Sequence, residues 1–311
     1  MPNKVTLRQL RYFVAAADSH QISIAATNQH VSQSAITHAV LALEEELGVR
    51  LFDRVPQGVL LTAEGQDFLH HARHILDSMR DAMSAPRFRA HDLAGSVRVA
   101  ASYTVLGYFL PELMARFRAG YPKVDIDLRD LDRPGIEQAV LSGEVDVGMA
   151  ILSNVTSRER FGHATLIRSR RQLWVAPQHP LAQLASPSLA DIAQHPYLLL
   201  QADEGATSTM KYWQSQGLEP HIGFRTGSIE SVRGLVANGF GVTILSDMVF
   251  RPWSLEGKRI EARPIFDAIP HMEMGILWQR EAPLAKPAQA FQQFLLQAFG
   301  SQESERNNIS K

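Results

Sequence analysis

Two short helical patterns joined by a tight turn, within residues 22–47, constrain the fold of this chain more than any other feature. In the second pattern apolar residues recur at helical spacing, at Ile36, Val40, Leu43 and Leu47. One side of this helix therefore faces a core. Ser32, directly before the run, is a suitable N-cap, and a shorter apolar run over residues 22–26 marks the first helix. The pattern predicts a helix-turn-helix.

The polar edge of the second helix is the predicted nucleic-acid contact. It consists of the N-cap and the outward-facing residues of the first turns, Ser32, Gln33, Ser34, Thr37 and His38. Helix-turn-helix proteins lay this edge in the major groove of DNA. Short polar side chains there read base edges, and Gln33 can pair bidentately with adenine. The alternative is a three-helix core with no role in DNA binding.

Five sequence blocks resemble the N-terminal domain of LysR-type transcriptional regulators. They are LRQLRYFVAAAD from residue 7, the alanine pair at 25–26, HVSQSAI from residue 30, LEEELGVRLFDR from residue 43 and LTAEG from residue 61. Because all five are in register, the match is specific. The resemblance implies an α/β chain with an N-terminal winged helix-turn-helix, a long linker helix, and a C-terminal two-lobed, periplasmic-binding-protein-like effector domain.

A predicted hairpin follows the second helix and corresponds to the wing. Residues 49–61 read as two short strands around a Pro-Gln-Gly turn. The resemblance implies that Arg54, at the base of the wing, and Thr62, at its end, contact the DNA backbone or the minor groove. For Arg54 the alternative is a salt bridge to Asp53 or to a glutamate of residues 44–46. Thr62 is also expected to cap the next helix.

The charge of this N-terminal region is balanced. Residues 1–62 hold five basic and five acidic residues, namely Lys4, Arg8, Arg11, Arg50 and Arg54 against Asp18, Glu44, Glu45, Glu46 and Asp53. The resembled family commonly places arginines in the second half of the recognition helix, where this chain has His38, Ala39, Leu41 and Ala42. Since DNA affinity depends heavily on phosphate neutralisation, we expect a shallow salt dependence, or a preference for protonated His38.

A long helix is predicted over residues 63–89, which contain no glycine after Gly65 and no proline before Pro86. Its apolar residues alternate steps of four and three, as in a coiled coil, at Phe68, Ala72, Ile75, Met79 and Ala82. Because this seam has no partner in its own domain, we predict a homodimer that places two recognition helices on an inverted repeat in promoter DNA. The resemblance further implies a homotetramer and a contact with RNA polymerase.

Beyond a polar hinge, strand and helix patterns alternate, which is typical of parallel βαβ units. The first predicted helix there runs unbroken from about Thr104 to Arg118, and the last from Lys286 to Phe299. Two similar lobes are expected, resembling the LysR effector domain. The predicted boundaries are residues 1–62 for the DNA-binding domain, 63–89 for the linker helix, 90–95 for the hinge, 96–165 and 270–300 for lobe I, 166–269 for lobe II, and 301–311 for a disordered tail.

Ligands of such folds bind between the lobes, near the amino ends of helices. Three predicted helix starts carry hydroxyls, at Ser102 and Thr104, at Thr207 and Ser208, and at Ser228. Backbone N–H groups and the positive end of a helix attract carboxylates, although each hydroxyl taken alone is more often a plain N-cap. Arg133, on a loop at the same cleft, is a candidate partner for an acidic effector. Together with these helix ends, the resemblance to the LysR family implies a small organic or aromatic carboxylate as the effector.

Other classes of protein fit the sequence less well. No apolar run approaches the roughly 18 residues of a membrane helix, and the N-terminal residues lack the apolar region of a signal peptide, so a cytoplasmic protein without membrane contact is expected. The chain has no cysteine, which excludes thiolate catalysis and the cysteine switch of peroxide-sensing relatives.

An enzyme is not predicted. The motifs G-x-S-x-G and H-E-x-x-H are absent, and Gly239-Phe240-Gly241 lacks the third glycine of a dinucleotide site. His70 and His74 have metal-ligand spacing but no second ligand cluster, so neither a metal nor a cofactor is expected. The remaining alternative is a solute-binding protein that uses the two-lobed domain without regulating DNA.

Overall fold

The chain divides into two structural units, the first formed by residues 1–89 together with 300–311 and the second by residues 90–299. The computed structural model describes residues 5–19, 21–55, 58–88, 92–155 and 157–307. The apex of the predicted wing, part of the predicted hinge and the last four residues of the predicted tail lie outside these ranges.

The first unit is a winged helix-turn-helix followed by a long helix, as predicted. Its elements are α1 (Leu7–Ser19), α2 (Ile22–Asn28), α3 (Gln33–Leu47), β1 (Phe52–Val55), β2 (Gly58–Leu61) and α4 (Ala63–Phe88). β1 and β2 pair in antiparallel fashion, with Phe52 opposite Leu61. Gly48 ends α3 in the left-handed conformation, at φ +69°, which explains why a glycine occupies this position.

A single core joins all the helices of this unit to the wing. Ile36, Val40 and Leu43 of the predicted stripe are buried, together with Phe13 of α1. The ring of Phe13 lies 5.3 Å from Phe52 in the wing and 5.1 Å from Phe68 in α4. Leu47 differs from the prediction: it is 39% exposed, because it lies in the last turn of α3, beyond the core.

The predicted coiled-coil seam of α4 divides into two parts. Ala72 is fully buried in the core of the first unit, and Phe68 packs against that core. Ile75 and Met79, one and two turns further along, are 44% and 41% exposed. The side chain of Ala82 lies outside the described part of the chain. Among the described side chains of the seam, Ile75 and Met79 are the ones that present apolar surface to solvent.

The second unit is built from two α/β lobes. Its elements are β3 (Gly95–Ala101), α5 (Tyr103–Tyr108), α6 (Leu110–Gly120), β4 (Val124–Asp130), α7 (Arg133–Leu141), β5 (Val147–Ile151), β6 (Phe161–Ser169), β7 (Arg171–Val175), α8 (Leu189–Ile192), β8 (Tyr197–Leu200), α9 (Gly205–Ser215), β9 (Ile222–Thr226), α10 (Ile229–Ala237), β10 (Thr243–Ser246), β11 (Glu261–Arg263), β12 (Met272–Gln279) and α11 (Lys286–Asn307). Short 3₁₀ turns lie at Leu152–Asn154, Arg158–Arg160, Pro180–Gln183, Ala202–Glu204 and Asp247–Val249.

Lobe I contains a five-stranded sheet in the order β4-β3-β5-β12-β6. β3 is parallel to β4 and β5, as the βαβ pattern predicts. β12 is antiparallel to β5 and to β6, so the sheet is mixed. The strand β6 was not predicted, and it extends lobe I from residue 165 to Ser169.

Lobe II contains an antiparallel sheet in the order β10-β7-β11 and a parallel pair, β8 and β9. A parallel bridge between Tyr197 and Val242 links the two. The chain passes from lobe I to lobe II at residue 170, between β6 and β7, and returns between β11 and β12.

Two predicted helices have different bounds in the structure. The helix predicted from Thr104 to Arg118 is broken at Phe109, because Pro111 has no N–H to continue the first helix and instead occupies the first turn of the second. α11 continues to Asn307 rather than ending at Phe299, so the predicted tail is helical up to that residue. Over the part of the chain that the structure describes, no helix has the length and apolar character needed to cross a bilayer.

Candidate functional site

The polar edge of α3 is exposed at its amino end. Ser32 caps the helix by accepting a hydrogen bond from Ala35 N at 3.2 Å, as the sequence predicts. Gln33, Ser34 and His38 are exposed. Thr37 is half-buried, and its hydroxyl donates to the carbonyl of Gln33 at 2.9 Å. The edge that the apolar pattern leaves outside is thus the accessible one.

A groove runs between this edge and the wing. Its walls include Gln33, Thr37 and Leu41 from α3 and Arg54 from β1. Ser32, Ser34, His38 and Thr62 do not line it. Other groove residues were missed by sequence reasoning, namely Gln21, Ile22, Ser23, Val40, Glu44, Arg50, Phe52, Gly58 and Val59. The groove brings the exposed polar edge of α3 together with an arginine of the wing.

Arg54 is exposed and has no carboxylate within 4.0 Å in the described part of the chain. The alternative role of Arg54, an ion pair with Asp53 or with a glutamate of residues 44–46, is not observed among the described residues. Asp53 lies 3.8 Å from Arg50, and Glu44 accepts backbone hydrogen bonds from the wing. The guanidinium of Arg54 is therefore accessible to a phosphate.

Glu44 connects the recognition helix to the wing. Its Oε1 accepts hydrogen bonds from Leu51 N at 2.7 Å and from Phe52 N at 3.1 Å. This carboxylate fixes the angle at which the wing leaves α3. Nothing in the sequence distinguishes Glu44 from its neighbours Glu45 and Glu46, which are exposed.

Thr62 caps α4 as predicted and also holds the base of the wing. Its hydroxyl accepts from Gly65 N at 2.9 Å and donates to the carbonyl of Arg50 at 2.7 Å. The hydroxyl proton is therefore committed to the protein. A phosphate accepts hydrogen bonds, and the Thr62 side chain has no proton left to donate to it.

In the second unit, a cavity of about 40 Å³ lies between the lobes. This is the space of a few water molecules. The polar residues lining it are Thr104, Asn154, Arg171, Asp203, Ser208, Thr209 and Ser246. Of the six predicted effector residues only Thr104 and Ser208 line it. Arg171, the cation among the lining residues, was missed because its place depends on the crossover at residue 170 rather than on a local motif.

Four of the six predicted effector residues lie away from the cavity wall. Ser102 is buried, and its hydroxyl has no hydrogen-bond partner within the described residues. Thr207 is exposed. Ser228 is a plain N-cap, because its hydroxyl accepts from Ser231 N at 3.2 Å. The short α5, of six residues, also offers a weaker end charge than the unbroken helix predicted from the sequence.

Arg133, the fourth, is already paired with two carboxylates of the chain. Its guanidinium lies 2.5 Å from Glu137 and 2.6 Å from Glu204. The hydrogen bond to Glu204 raises the pKa of Arg133 further above its ordinary value, against the opposing effect of burial. An acidic ligand reaches this guanidinium only by replacing one of these partners.

The turn Ala202–Glu204 belongs to lobe II and forms hydrogen bonds with lobe I. Asp203 Oδ2 accepts from Thr104 N at 2.8 Å, and the Asp203 carbonyl accepts from Asn154 Nδ2 at 2.6 Å. Asp203 and Glu204 are both left-handed, at φ +49° and +59°. Each such non-glycine residue costs about 1–2 kcal/mol, so the contacts with lobe I must hold the turn in this shape.

A second cross-lobe contact involves Tyr108. Its hydroxyl donates to Glu230 at 2.8 Å and accepts from Arg233 at 3.2 Å. Arg233 is 1% exposed and its guanidinium lies over the Trp174 ring at 5.3 Å. Burial and the hydrogen bond to Glu230 raise the pKa of Tyr108 to about 12. Burial alone raises the pKa of Glu230, but the bonds from Arg233 and Tyr108 outweigh it and lower that pKa.

No group of three or more potential metal-ligating side chains occurs in the described ranges. One site offers amide, hydroxyl and guanidinium groups on a groove, and the other a small polar cavity between two lobes.

Two family models match the chain. The one described as a bacterial regulatory helix-turn-helix protein of the lysR family matches residues 7–66, and the one described as the LysR substrate binding domain matches residues 90–300. The first model lies within the first unit, and the second spans the second unit.

Similar proteins cover nearly all of the chain. The RuBisCO operon transcriptional regulator of Allochromatium vinosum is 29% identical over 294 residues, which are 94% of this chain and 96% of that protein. The HTH-type transcriptional regulator YnfL of Escherichia coli is 28% identical over 300 residues, 94% of this chain and 99% of that one. The crystal structure of HinK, a LysR family regulator from Pseudomonas aeruginosa, matches with a TM-score of 0.62 and 28% identity, covering 96% of this chain and 100% of that one.

Proposed function

Because the chain belongs to the LysR family of transcriptional regulators, we propose that it reads a specific promoter through the groove between α3 and the wing. Gln33 and Thr37 contact base edges there, Arg54 contacts phosphate, and Ser32, Ser34 and His38 flank the contact. The observation that carries the proposal is that the exposed edge of α3 and the guanidinium of Arg54, which forms no ion pair with the described residues, line one groove. Thr62 acts indirectly, by holding the base of the wing.

The regulator acts as a homodimer on an inverted repeat, and such dimers pair into a homotetramer. The exposed Ile75 and Met79 on α4 support the dimer, because they leave an apolar stripe without a partner in its own unit. Two recognition helices on one face of the duplex then bend the promoter and alter its contact with RNA polymerase. Since its partner is chromosomal DNA, we place the protein in the cytoplasm.

A small molecule between the lobes modulates these DNA contacts. We propose a small organic or aromatic carboxylate, because Arg171 and four hydroxyl residues line the cavity. Binding shifts the population between two lobe arrangements, and only a ligand with different affinities for the two can do so.

A solute-binding protein is the second candidate, and it is not favoured. The two-lobed domain suits that function, but the family model over residues 7–66 and the similar proteins are those of DNA-binding regulators.

The proposal is tested on DNA. Footprinting the protein on the intergenic region beside its own gene should protect an inverted repeat. A double variant, Gln33→Ala with Thr37→Ala, should lose its preference for that site over random duplex by about 30-fold or more, because two base contacts are removed and each contributes about 1–3 kcal/mol of discrimination. Its response to small molecules and its non-specific affinity should not change.

Thr27→Ala is the matched control for this experiment. Thr27 is exposed on α2 and donates to the carbonyl four residues earlier, as Thr37 does, but it does not line the groove. This variant should keep full selectivity. Undiminished selectivity in the double variant would show that the groove does not read the sequence.

A further inference from the structure

The turn at Asp203 and Glu204 belongs to lobe II, but its polar groups are satisfied by lobe I. Thr104 N donates to the Asp203 carboxylate, Asn154 donates to the Asp203 carbonyl, and Arg133 pairs with Glu204. These three contacts come from three different elements of lobe I. The turn is therefore bound to lobe I through the kinds of polar contact that a ligand makes.

The conformation of the turn indicates that it is held by these contacts. Both residues are left-handed, although neither is glycine. The next residue, Gly205, is fixed by packing, because a Cβ there would lie 2.9 Å from the carbonyl oxygen of Leu200. This close approach ties the start of α9 to β8 within lobe II, so release of Asp203 and Glu204 from lobe I leaves α9 in lobe II and frees the two lobes to change their separation.

The cavity beside the turn is too small for a ligand in this arrangement. Its volume is about 40 Å³, against the roughly 300 Å³ or more of ordinary small-molecule sites. Asp203 is the carboxylate among its lining residues, and Arg171 is the cation. A second carboxylate that entered without moving Asp203 would face a like charge. Entry of an acid therefore requires Asp203 to leave.

We propose that Asp203 is an internal competitor of the effector, so that effector binding exchanges one carboxylate for another at Thr104 N. The ligand carboxylate takes the backbone N–H that Asp203 occupies, with Arg171 as the second partner of its charge. Asp203 then withdraws into solvent, and Glu204 releases Arg133. This inference rests on the proposed function, because it assigns the specificity of the same cleft.

The exchange has a measurable consequence for affinity. A ligand that binds only when the turn has been released shows an apparent Kd increased by the reciprocal of the released fraction. Removing the charge of Asp203 raises that fraction. Asn is the suitable replacement, because it tolerates the left-handed conformation as well as Asp does.

The experiment compares full-length wild type, Asp203→Asn and the control Asp125→Asn. Asp125 is an exposed residue of β4 in lobe I and does not line the cavity. Acetate, succinate and benzoate are titrated separately by calorimetry. Asp203→Asn should bind the acids that wild type binds about tenfold more tightly, since a hydrogen bond to a charged group contributes about this factor or more. Asp125→Asn should match wild type.

A second measurement does not depend on any ligand. Since the chain has no cysteine, spin labels are attached at Gln138→Cys on α7 and Lys211→Cys on α9, which are exposed residues of the two lobes. Asp203→Asn, and to a smaller extent Glu204→Gln, should lengthen or broaden the distance distribution. An unchanged distribution in both variants would overturn the proposal.

The outcomes separate this inference from the proposed function. Equal or weaker acid binding by Asp203→Asn overturns the exchange, while footprinting still supports the regulator. If none of the three acids binds either form, both the exchange and the carboxylate class are wrong, although the DNA-binding proposal is untouched. Tighter acid binding together with a longer inter-lobe distance supports the exchange.

Discussion

Gly65 is where the base of the wing approaches α4 most closely. A Cβ at this position would lie 2.0 Å from the carbonyl oxygen of Leu51 and 2.9 Å from its carbonyl carbon. Both are backbone atoms, so no side chain can move aside. The glycine of the LTAEG block is thus required by a close approach between two elements.

Gly65→Ala should destabilise the first unit by about 2 kcal/mol or more, as overpacking of a core does. Gly120→Ala is the control, because a Cβ there would meet no atom within 4 Å. Urea unfolding followed by circular dichroism measures both. Equal midpoints for the two variants would show that the wing can shift without cost.

Predictions for single residues succeed where the physical cause is local. Ser32 as an N-cap and Gly48 as a helix end follow from the chain within three residues of each position. Arg171 was missed, because its position at the cavity results from the pairing of β7 with two strands far along the chain. Glu44 was missed because hydrogen bonds to backbone N–H groups seven and eight residues away leave no pattern.

At the scale of elements, the contact of α3 with the wing depends on one carboxylate. Glu44→Ala leaves the N–H groups of Leu51 and Phe52 without their acceptor, which should cost about 1–3 kcal/mol. DNA binding should weaken, although the variant removes a negative charge from the recognition helix. Urea unfolding and fluorescence anisotropy on the footprinted duplex measure the two effects.

Glu45→Ala is the matched control, since it removes the same charge from an exposed neighbour. It should leave stability unchanged and strengthen DNA binding slightly through reduced repulsion. If both variants bind DNA more tightly, the wing does not need Glu44 to hold its orientation.

The elements that the sequence predicts well are those with a clear period. α1, α3 and α4 follow their apolar spacing, and the strands of lobe I that enter βαβ units appear in the predicted order. β6 was missed, because it is placed by antiparallel pairing with β12, with Phe161 opposite Gln279. Such pairing over more than a hundred residues has no local signature.

For the whole molecule, the number of free cations limits the electrostatic part of DNA binding. Arg8, Arg11 and Arg54 are exposed in the first unit, whereas Arg50 lies 3.8 Å from Asp53. Counting only these three described arginines, three cations per protomer give six in the proposed dimer. We expect the logarithm of the affinity to fall against the logarithm of salt concentration with a slope no steeper than about −5.

Anisotropy titrations between 50 and 200 mM salt, about the range in which phosphate contacts are resolved, measure this slope. A random duplex serves as the control, because it reports the electrostatic part alone. A slope near twice the expected value would mean that groups other than these arginines neutralise phosphate.

The architecture of the whole chain was predicted, but the state of its cleft was not. The winged domain, the long helix and the two lobes are all confirmed. The contacts that hold the lobes together join residues far apart, such as Thr104 and Asp203, which are 99 positions apart. The positions of the helix starts alone predicted an open receptor for a ligand carboxylate. In the structure the carboxylate of Asp203 occupies that place, at Thr104 N.

α4 contributes Leu69 and Ala72 to the interior of its own unit and leaves Ile75 and Met79 outside. If a second subunit covers these two side chains, a newly made protomer exposes an apolar stripe on α4 until it pairs with a second copy. Chaperones and proteases recognise such uncovered apolar stretches. Cellular abundance of the regulator would then depend on pairing, and a solitary copy would be cleared before it reached a promoter.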